Sequence, residues 1–179
     1  MKRETKQKIA ASVADFHLPR YQEIPNMGLY LEQTSKYISE YLAPLGDYGL
    51  TNSMISNYVK KGLVANPVKK QYDREQIAYL FFIAVAKNVL SLDALTDFIA
   101  LQKRTYPLEV AYDFFCRQLE GLLQFTVELT DSFELSEPEY TVDTESVDAR
   151  RLLYSCIVAV TQKIYLEKSL EAIVSESKE

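Results

Sequence analysis

Apolar residues recur at helical spacing in each long segment of the chain, and short polar stretches separate these segments. Side chains three and four positions apart lie on the same face of an α-helix, so the pattern predicts amphipathic helices that bury one side. With 5 glycines and 6 prolines, the chain has room for few long breaks between elements. We therefore predict an all-α fold, with helices over residues 3–16, 29–45, 51–62, 73–90, 108–129 and 146–173, and a further helix that starts at Ser91.

Residues 50–80 contain the clearest helix start and stop signals. Thr51 is a suitable N-cap, because its hydroxyl can accept a hydrogen bond from one of the first backbone N–H groups of the helix. Gly62 tolerates the left-handed conformation that commonly ends a helix. Asp73, with Gln76 three residues later, predicts the start of the next helix in a variant of the capping box.

The helix that follows Thr51 has two different faces. One is an apolar stripe of Met54, Ile55, Tyr58 and Val59. The other has short hydrogen-bonding side chains, one cation and no carboxylate: Ser53, Ser56, Asn57 and Lys60. A basic connection with Lys69 and Lys70 comes next. A small polar helix followed by a basic loop is what a winged helix-turn-helix presents to DNA, with the helix in the major groove and the wing on the phosphates.

This block resembles the DNA-binding domain of MerR-type regulators, through the run of residues 55–63 followed by Pro67, Lys70, Tyr72 and Leu80. That family has an aromatic-rich recognition helix ending in Gly-Leu, and a wing with basic residues and a tyrosine. The resemblance implies that Tyr58 matches the helix tyrosine, Lys70 the wing arginine and Tyr72 the wing tyrosine. The chain departs from the family at Ser56 and Val59, where arginine and glutamate are usual. Residues 18–33, taken with this block, also resemble a family of uncharacterised bacterial proteins, domain-of-unknown-function family 1836.

Charge is unevenly distributed along the chain. Residues 1–106 carry 14 Lys and Arg against 10 Asp and Glu, whereas residues 107–179 carry 6 against 15. This asymmetry is a mild indication of a part that faces nucleic acid, joined to an acidic remainder. Residues 131–145 hold six of the acids and no base, which predicts a solvated loop; the segment has no glycine for the sharp turn of an EF-hand calcium loop.

Residue types that carry catalysis or bind metals are scarce. Cys116 and Cys156 lie in apolar helical patterns, which predicts buried free thiols, and no Cys/His cluster offers a metal site. His17 is the one histidine and has no implied catalytic partner, while Asp93 and Asp97, one helical turn apart, are typical of a solvated face. No Gly-rich phosphate loop, GxSxG or HExxH motif is present. We expect no enzymatic activity and no cofactor.

No apolar run reaches the roughly 18 residues that span a bilayer. The apolar stretch near the N-terminus, residues 9–16, is interrupted by polar residues and Asp15, so it is not a signal peptide. We therefore expect a cytoplasmic protein that does not enter a membrane.

Residues 108–129 have apolar side chains on nearly every face, so this helix is either central to a bundle or shared between two subunits. We expect a two-fold homodimer that uses residues 108–129 or the last helix, because helix-turn-helix dimers pair two half-sites. A further interpretation is that the helices of residues 108–173 enclose an apolar ligand pocket.

Together these patterns predict a MerR-like winged helix-turn-helix over residues 1–105, including an N-terminal helical extension, and additional C-terminal helices over residues 106–179 that form a bundle for dimerisation or sensing. The expected function is transcriptional regulation through binding of double-stranded DNA. We predict that Ser53, Ser56 and Asn57 contact base edges. The residues predicted to contact phosphates are Tyr58, Lys60, Lys61, Lys69, Lys70, Tyr72 and Arg74. The alternative is a protein–protein adaptor on the same scaffold without DNA binding. The sequence leaves open the operator, the regulated genes, an effector and the direction of regulation.

Overall fold

A computed structural model describes residues 3–133 and 143–176, and most of these residues are helical. The helices are α1 (Arg3–Val13), α2 (Leu31–Leu42), α3 (Asn52–Lys60), α4 (Arg74–Ala86), α5 (Leu92–Thr105), α6 (Leu108–Thr126) and α7 (Thr144–Glu176). Short 3-10 turns cover Tyr21–Glu23 and Ala43–Leu45. Two short strands, β1 (Leu29–Tyr30) and β2 (Gln71–Tyr72), pair antiparallel. The prediction of a mainly helical chain is confirmed. Most of the acidic segment predicted as a loop, residues 134–142, lies outside the described residues.

Local signals account for the boundaries of the helices around α3 and α4. The Thr51 hydroxyl accepts a hydrogen bond from the Met54 backbone N–H at 3.2 Å. Asp73 and Gln76 form both hydrogen bonds of the capping box that begins α4. After α3, Gly62 has φ of 78°, the left-handed conformation that glycine adopts without a steric penalty. These caps and this stop confirm the predictions for residues 51–62 and 73–76.

The predicted helix of residues 29–45 is shorter than expected at both ends. Leu29 and Tyr30 form strand β1 instead, because Leu29 pairs with Tyr72 and Tyr30 with Gln71. At the other end, α2 stops at Leu42 and a 3-10 turn containing Pro44 follows. Proline lacks the backbone N–H that a continuing α-helix would need.

Helix α4 lies at the centre of the core. Almost every one of its residues is buried, and the side chains of Ile77, Leu80, Phe81 and Ile83 have no exposed surface. Phe81 contacts three aromatic rings from other helices, with ring centroids 5.8 Å from Tyr37, 5.9 Å from Tyr41 and 6.3 Å from Tyr112. Because apolar residues cover its whole circumference, α4 fills the interior rather than lining one side of it.

Helix α6 is also internal. Its buried residues fall on several faces and include Phe114, Phe115, Leu119 and Leu122. It packs against α7, α4 and α5 of the same chain. Of the two interpretations of residues 108–129, a central helix of a bundle therefore fits the described fold. The cysteines are free and buried, as predicted, and burial raises the pKa of the Cys116 thiol to about 12.

One face of α6 holds the loop that follows α1. The carboxylate of Glu120 accepts hydrogen bonds from the Leu18 backbone N–H at 2.8 Å and from both terminal nitrogens of Arg20, at 2.7 and 2.5 Å. Asp113, two turns earlier, accepts a hydrogen bond from the Tyr21 backbone N–H at 2.7 Å. This contact ties the N-terminal part of the chain to the C-terminal helices, so the two predicted regions share one core.

Candidate nucleic-acid interface

Helix α3 is held by its apolar side and by the segment before it. Ile55 has no exposed surface, and Tyr58 is 8% exposed. The Ser35 hydroxyl of α2 donates a 2.5 Å hydrogen bond to the Leu50 carbonyl, which fixes the chain just ahead of the N-cap. The buried side therefore faces the core, and the polar side is left in solvent.

The exposed side of α3 carries the residues that the sequence assigns to DNA. Ser53, Ser56, Asn57, Lys60 and Lys61 are all exposed. The Ser56 hydroxyl donates to the Asn52 carbonyl at 2.9 Å, and the Ser53 and Thr51 hydroxyls lie 3.0 Å apart. The Asn57 side chain is exposed, and its amide makes no hydrogen bond within the described ranges.

The basic connection after α3 ends in a tight turn with Lys69 and Lys70 at its tip. The Gln71 backbone N–H donates to the Val68 carbonyl at 2.9 Å, which closes the turn. Lys69 has φ of 51° and Lys70 φ of 67°. Positive φ at both central residues defines a type I′ turn, where Gly, Asn or Asp are usual. Left-handed backbone at a non-glycine residue costs about 1–3 kcal/mol and is concentrated at functional sites.

The strand arrangement around this turn differs from the expectation. The sequence predicted at most a two-stranded wing between residues 64 and 72. Only the isolated bridge between Val68 and Gln71 forms there, and β2 takes its main partner, β1, from ahead of α2. The pattern of residues 64–72 contains no trace of this pairing, because the partner strand is about forty residues away along the chain.

The connection is fixed at its base as well as at its tip. The Gln76 amide donates a 2.8 Å hydrogen bond to the Ala65 carbonyl, and Leu63 and Val64 are buried. The turn with Lys69 and Lys70 is therefore held on a short, anchored segment rather than on a free loop.

Three of the predicted phosphate contacts lie elsewhere. Tyr58 is 8% exposed and Tyr72 is 4% exposed, so both rings belong to the core. Arg74 binds the loop near the 3-10 turn Tyr21–Glu23: its Nε donates to the Ile24 carbonyl at 2.9 Å, and its Nη1 to the Gln22 side-chain oxygen at 2.6 Å. These contacts give the three residues a scaffold role, and we leave them out of the interface.

Once Tyr58, Tyr72 and Arg74 are set aside, the candidate interface is a basic strip, a segment with lysines and no carboxylates. From Tyr48 to Tyr72 the chain has four lysines, Lys60, Lys61, Lys69 and Lys70, and no Asp or Glu. All four lysines are exposed. Residues 48–72 therefore carry a formal charge of +4, although the whole chain carries −5.

Sequence reasoning missed Lys36. A shallow cleft between the first turns of α2 and α3 is lined by Ser35, Lys36, Thr51, Asn52 and Ser53, with Glu32 at its side. The side chain of Lys36 is 77% exposed. Its place beside α3 depends on how α2 packs, and the sequence pattern gives no signal for that.

The sequence also predicted an apolar ligand pocket among the helices of residues 108–173, and the structure has apolar crevices in part of this region. Two adjoining crevices between α4, α5, α6 and α7 have volumes of about 400 and 370 Å³, including space open to solvent, and share Phe98, Gln102, Ala111 and Leu153. Gln102 bridges helices here: it accepts from the Tyr79 hydroxyl at 2.9 Å and donates to the Tyr106 carbonyl at 2.8 Å. The amide oxygen and the amide nitrogen of Gln102 therefore both have hydrogen-bond partners within the chain.

Other kinds of site find no support in the described parts of the chain. They contain no group of three or more His, Cys, Asp or Glu side chains arranged to hold a metal ion. Within the same ranges, no helix is both long enough and apolar enough to cross a bilayer.

The family model described as a domain of unknown function (DUF1836) matches residues 19–115, which is more than half of the chain. The chain belongs to this family. The match begins in the loop held by α6, covers α2 to α5 and ends inside α6. Searches among curated proteins and among solved structures gave no significant match.

Proposed function

We propose that the protein is a DNA-binding transcriptional regulator with a MerR-like winged helix-turn-helix formed by α2, α3 and the turn at Lys69 and Lys70. The carboxylate-free strip of four exposed lysines beside the polar face of α3 is the observation that carries this proposal. Double-stranded DNA is the partner that such a surface suits, because a helix fits the major groove and lysines neutralise phosphates.

In this proposal the contacts have separate roles. Ser53, Ser56 and Asn57 face base edges, and Asn57 is the residue best suited to specificity, because an Asn amide can make two hydrogen bonds to adenine. Lys60, Lys61, Lys69 and Lys70 contact phosphates, which set the register without reading the sequence. Lys36 joins this second group, through its exposed position next to the N-terminus of α3.

A second candidate function is a protein–protein adaptor on the same scaffold. Three large apolar side chains near the sheet favour it: Met27 is 83% exposed, Tyr30 53% and Val68 72%. Tyr30 and Val68 both pair with Gln71, so these two side chains project from one face of the sheet, and Met27 lies two residues before β1. Exposed apolar surface of this kind suits a protein partner, whereas the lysine turn beside it suits DNA.

Replacing Lys69 and Lys70 together with Gln separates the two functions. We expect weaker binding to all DNA sequences alike, and a slope of log affinity against log salt that is shallower by about 1.8, for two phosphate contacts at roughly 0.9 each. The matched control replaces Lys8 and Lys103, exposed lysines on α1 and α5, and should leave the slope unchanged. If the wild-type protein shows no salt-sensitive binding of DNA at about 50 mM salt, the regulator proposal fails and the adaptor takes its place.

Replacing Asn57 with Ala tests the readout of sequence. After selection of preferred sites from random DNA, we expect a loss of about 1–3 kcal/mol on the preferred site and no change on unrelated DNA. Fluorescence anisotropy titrations on both DNAs measure this difference, with Gln7→Ala on α1 as the control for loss of an exposed amide. An equal loss on both DNAs would show that Asn57 does not read bases.

A further inference from the structure

Met54 on α3 is more exposed than its place in the sequence pattern predicts. The pattern put it on the apolar stripe with Ile55, Tyr58 and Val59. In the structure Ile55 and Tyr58 belong to the hydrophobic core and Val59 packs against it, whereas Met54 is 38% exposed. Met54 therefore lies at the border between the buried side of α3 and its polar side, and part of its side chain is in solvent.

Met54 is a neighbour of the residue that carries specificity in the proposed function. Asn57 follows it three positions later, and side chains at this spacing lie on one helix face with about 5–6 Å between their Cβ atoms. Both residues are exposed. The hydroxyls of Ser53 and Ser56 on the polar side already have partners at the N-terminal end of the helix. Met54 and Asn57 are therefore an adjacent pair that a ligand can reach.

The two side chains differ in chemistry, and the difference matches the major groove of DNA. An Asn amide can make two hydrogen bonds to adenine, at N6 and N7. A methionine side chain is apolar, unbranched and adaptable, and thymine presents its C5-methyl group as an apolar contact in the same groove. A G·C pair has no such methyl group. An amide beside an apolar side chain thus suits adenine and thymine together.

We propose that Met54 is a specificity-determining residue that contacts a thymine methyl group close to the adenine that Asn57 binds. This inference rests on the proposed function, because it assigns a class of DNA sequence to the same surface. Successive base pairs are about 3.4 Å apart, so a Cβ separation of about 5–6 Å places the two contacts on base pairs one or two steps apart. The preferred DNA then has an A·T-rich step opposite the first two turns of α3.

The surroundings of Met54 favour DNA over a protein as the partner of this side chain. Short polar side chains lie beside it on α3, and the basic strip of four exposed lysines continues from the same helix. A single apolar side chain within a polar and basic face suits a ligand that offers a methyl group among hydrogen-bonding groups and phosphates. A protein partner offers a larger apolar surface, and the exposed side chains of Met27, Tyr30 and Val68 suit that better.

Deoxyuridine in place of thymine removes only the methyl group and tests this contact. Selection from random DNA gives the preferred site, and each thymine in it is then replaced by deoxyuridine in turn. For the wild-type protein we expect a replacement at the contacted position to weaken binding about fourfold, the effect of one buried methyl group. Deoxyuridine in the flanking DNA should have no effect. Fluorescence anisotropy at one fixed salt concentration measures these affinities.

Met54→Ala shows whether the sensitivity to the methyl group belongs to Met54. We expect this variant to bind the thymine site about fourfold more weakly than wild type and to bind the thymine and deoxyuridine sites equally, so the two changes are not additive. Met54→Leu keeps an apolar side chain and should keep the preference for thymine. Met27→Ala, at an exposed methionine outside α3, is the matched control and should keep it in full. Circular dichroism and thermal unfolding should be unchanged in all three variants.

The results that would overturn the inference differ in what they leave standing. If the wild-type protein shows no salt-sensitive binding of DNA, the regulator proposal fails and this inference fails with it. If the wild-type protein selects a site in which no thymine is sensitive to deoxyuridine, or if Met54→Ala keeps the wild-type sensitivity, the regulator proposal stands and Met54 does not read a methyl group. A methionine that serves a protein partner would give this second result.

Discussion

Replacing Phe81 with alanine is expected to lower the free energy of unfolding by about 3–5 kcal/mol, the usual range for removing a large aromatic side chain from a core. Phe81 has no exposed surface and contacts the rings of Tyr37, Tyr41 and Tyr112. These rings come from α2 and α6, so the cavity would open where α4 joins the two parts of the fold. Aromatic pairs add about 0.5–1.5 kcal/mol beyond buried area.

Urea unfolding followed by circular dichroism measures this loss. The matched control is Phe125→Ala on α6, because Phe125 is 43% exposed and its removal should change stability by about 1 kcal/mol or less. Domains of ordinary stability have about 5–15 kcal/mol in total, so the Phe81 variant should unfold at a clearly lower urea concentration. Equal midpoints for the two variants would contradict the central place of α4 in the core.

The second large effect is expected at Glu120. Its side chain is 13% exposed, and that of its partner Arg20 is 33% exposed. Glu120→Ala removes the acceptor of three hydrogen bonds, from the Leu18 N–H and from two Arg20 nitrogens. It also leaves the Arg20 charge without its carboxylate. Glu120 raises the pKa of the Arg20 guanidinium, so Arg20 stays charged and carries the desolvation penalty.

We expect Glu120→Ala to lower the free energy of unfolding by about 2–4 kcal/mol, somewhat less than for a fully buried pair because Arg20 reaches water. The control is Glu128→Ala, which removes the exposed ion pair with Lys6 and should not measurably change stability. In a double-mutant cycle, Arg20→Ala should cost much less in the Glu120→Ala background than alone. Strictly additive effects would show that the pair does not hold the loop.

Arg74 has a structural role, because it binds the loop that Glu120 also holds. Arg74 at the start of α4 and the carboxylates of α6 hold the same short segment, since Arg74 binds Gln22 and Ile24 while Asp113 and Glu120 bind Tyr21 and Arg20. The segment opens the part of the chain that the family model matches. Arg74 is therefore tied to the scaffold, whereas Lys69 and Lys70, a few residues earlier, remain in solvent.

The sequence by itself determined the features that depend on neighbouring residues. The caps at Thr51, Ser91 and Asp73 and the stop at Gly62 formed as predicted. Each cap depends on a side chain and a backbone group within about one helical turn, and the stop depends on the left-handed backbone of Gly62 itself. Helical periodicity likewise indicated the buried thiols and the mainly helical content, because the spacing of apolar residues reports which side of a helix faces the core.

Only the tertiary structure decided which surfaces remain free. The resemblance to MerR-type regulators predicted Tyr58 and Tyr72 as phosphate contacts, but packing puts both rings in the core. Residues 29–30 continue a helical pattern, but hydrogen bonds to Gln71 and Tyr72 make them a strand. Helices α6 and α7 are both rich in apolar residues, but α6 is enclosed while several apolar side chains of α7 stay exposed. Each outcome depends on contacts between segments far apart along the chain, and a local pattern of apolar and polar residues does not specify those partners.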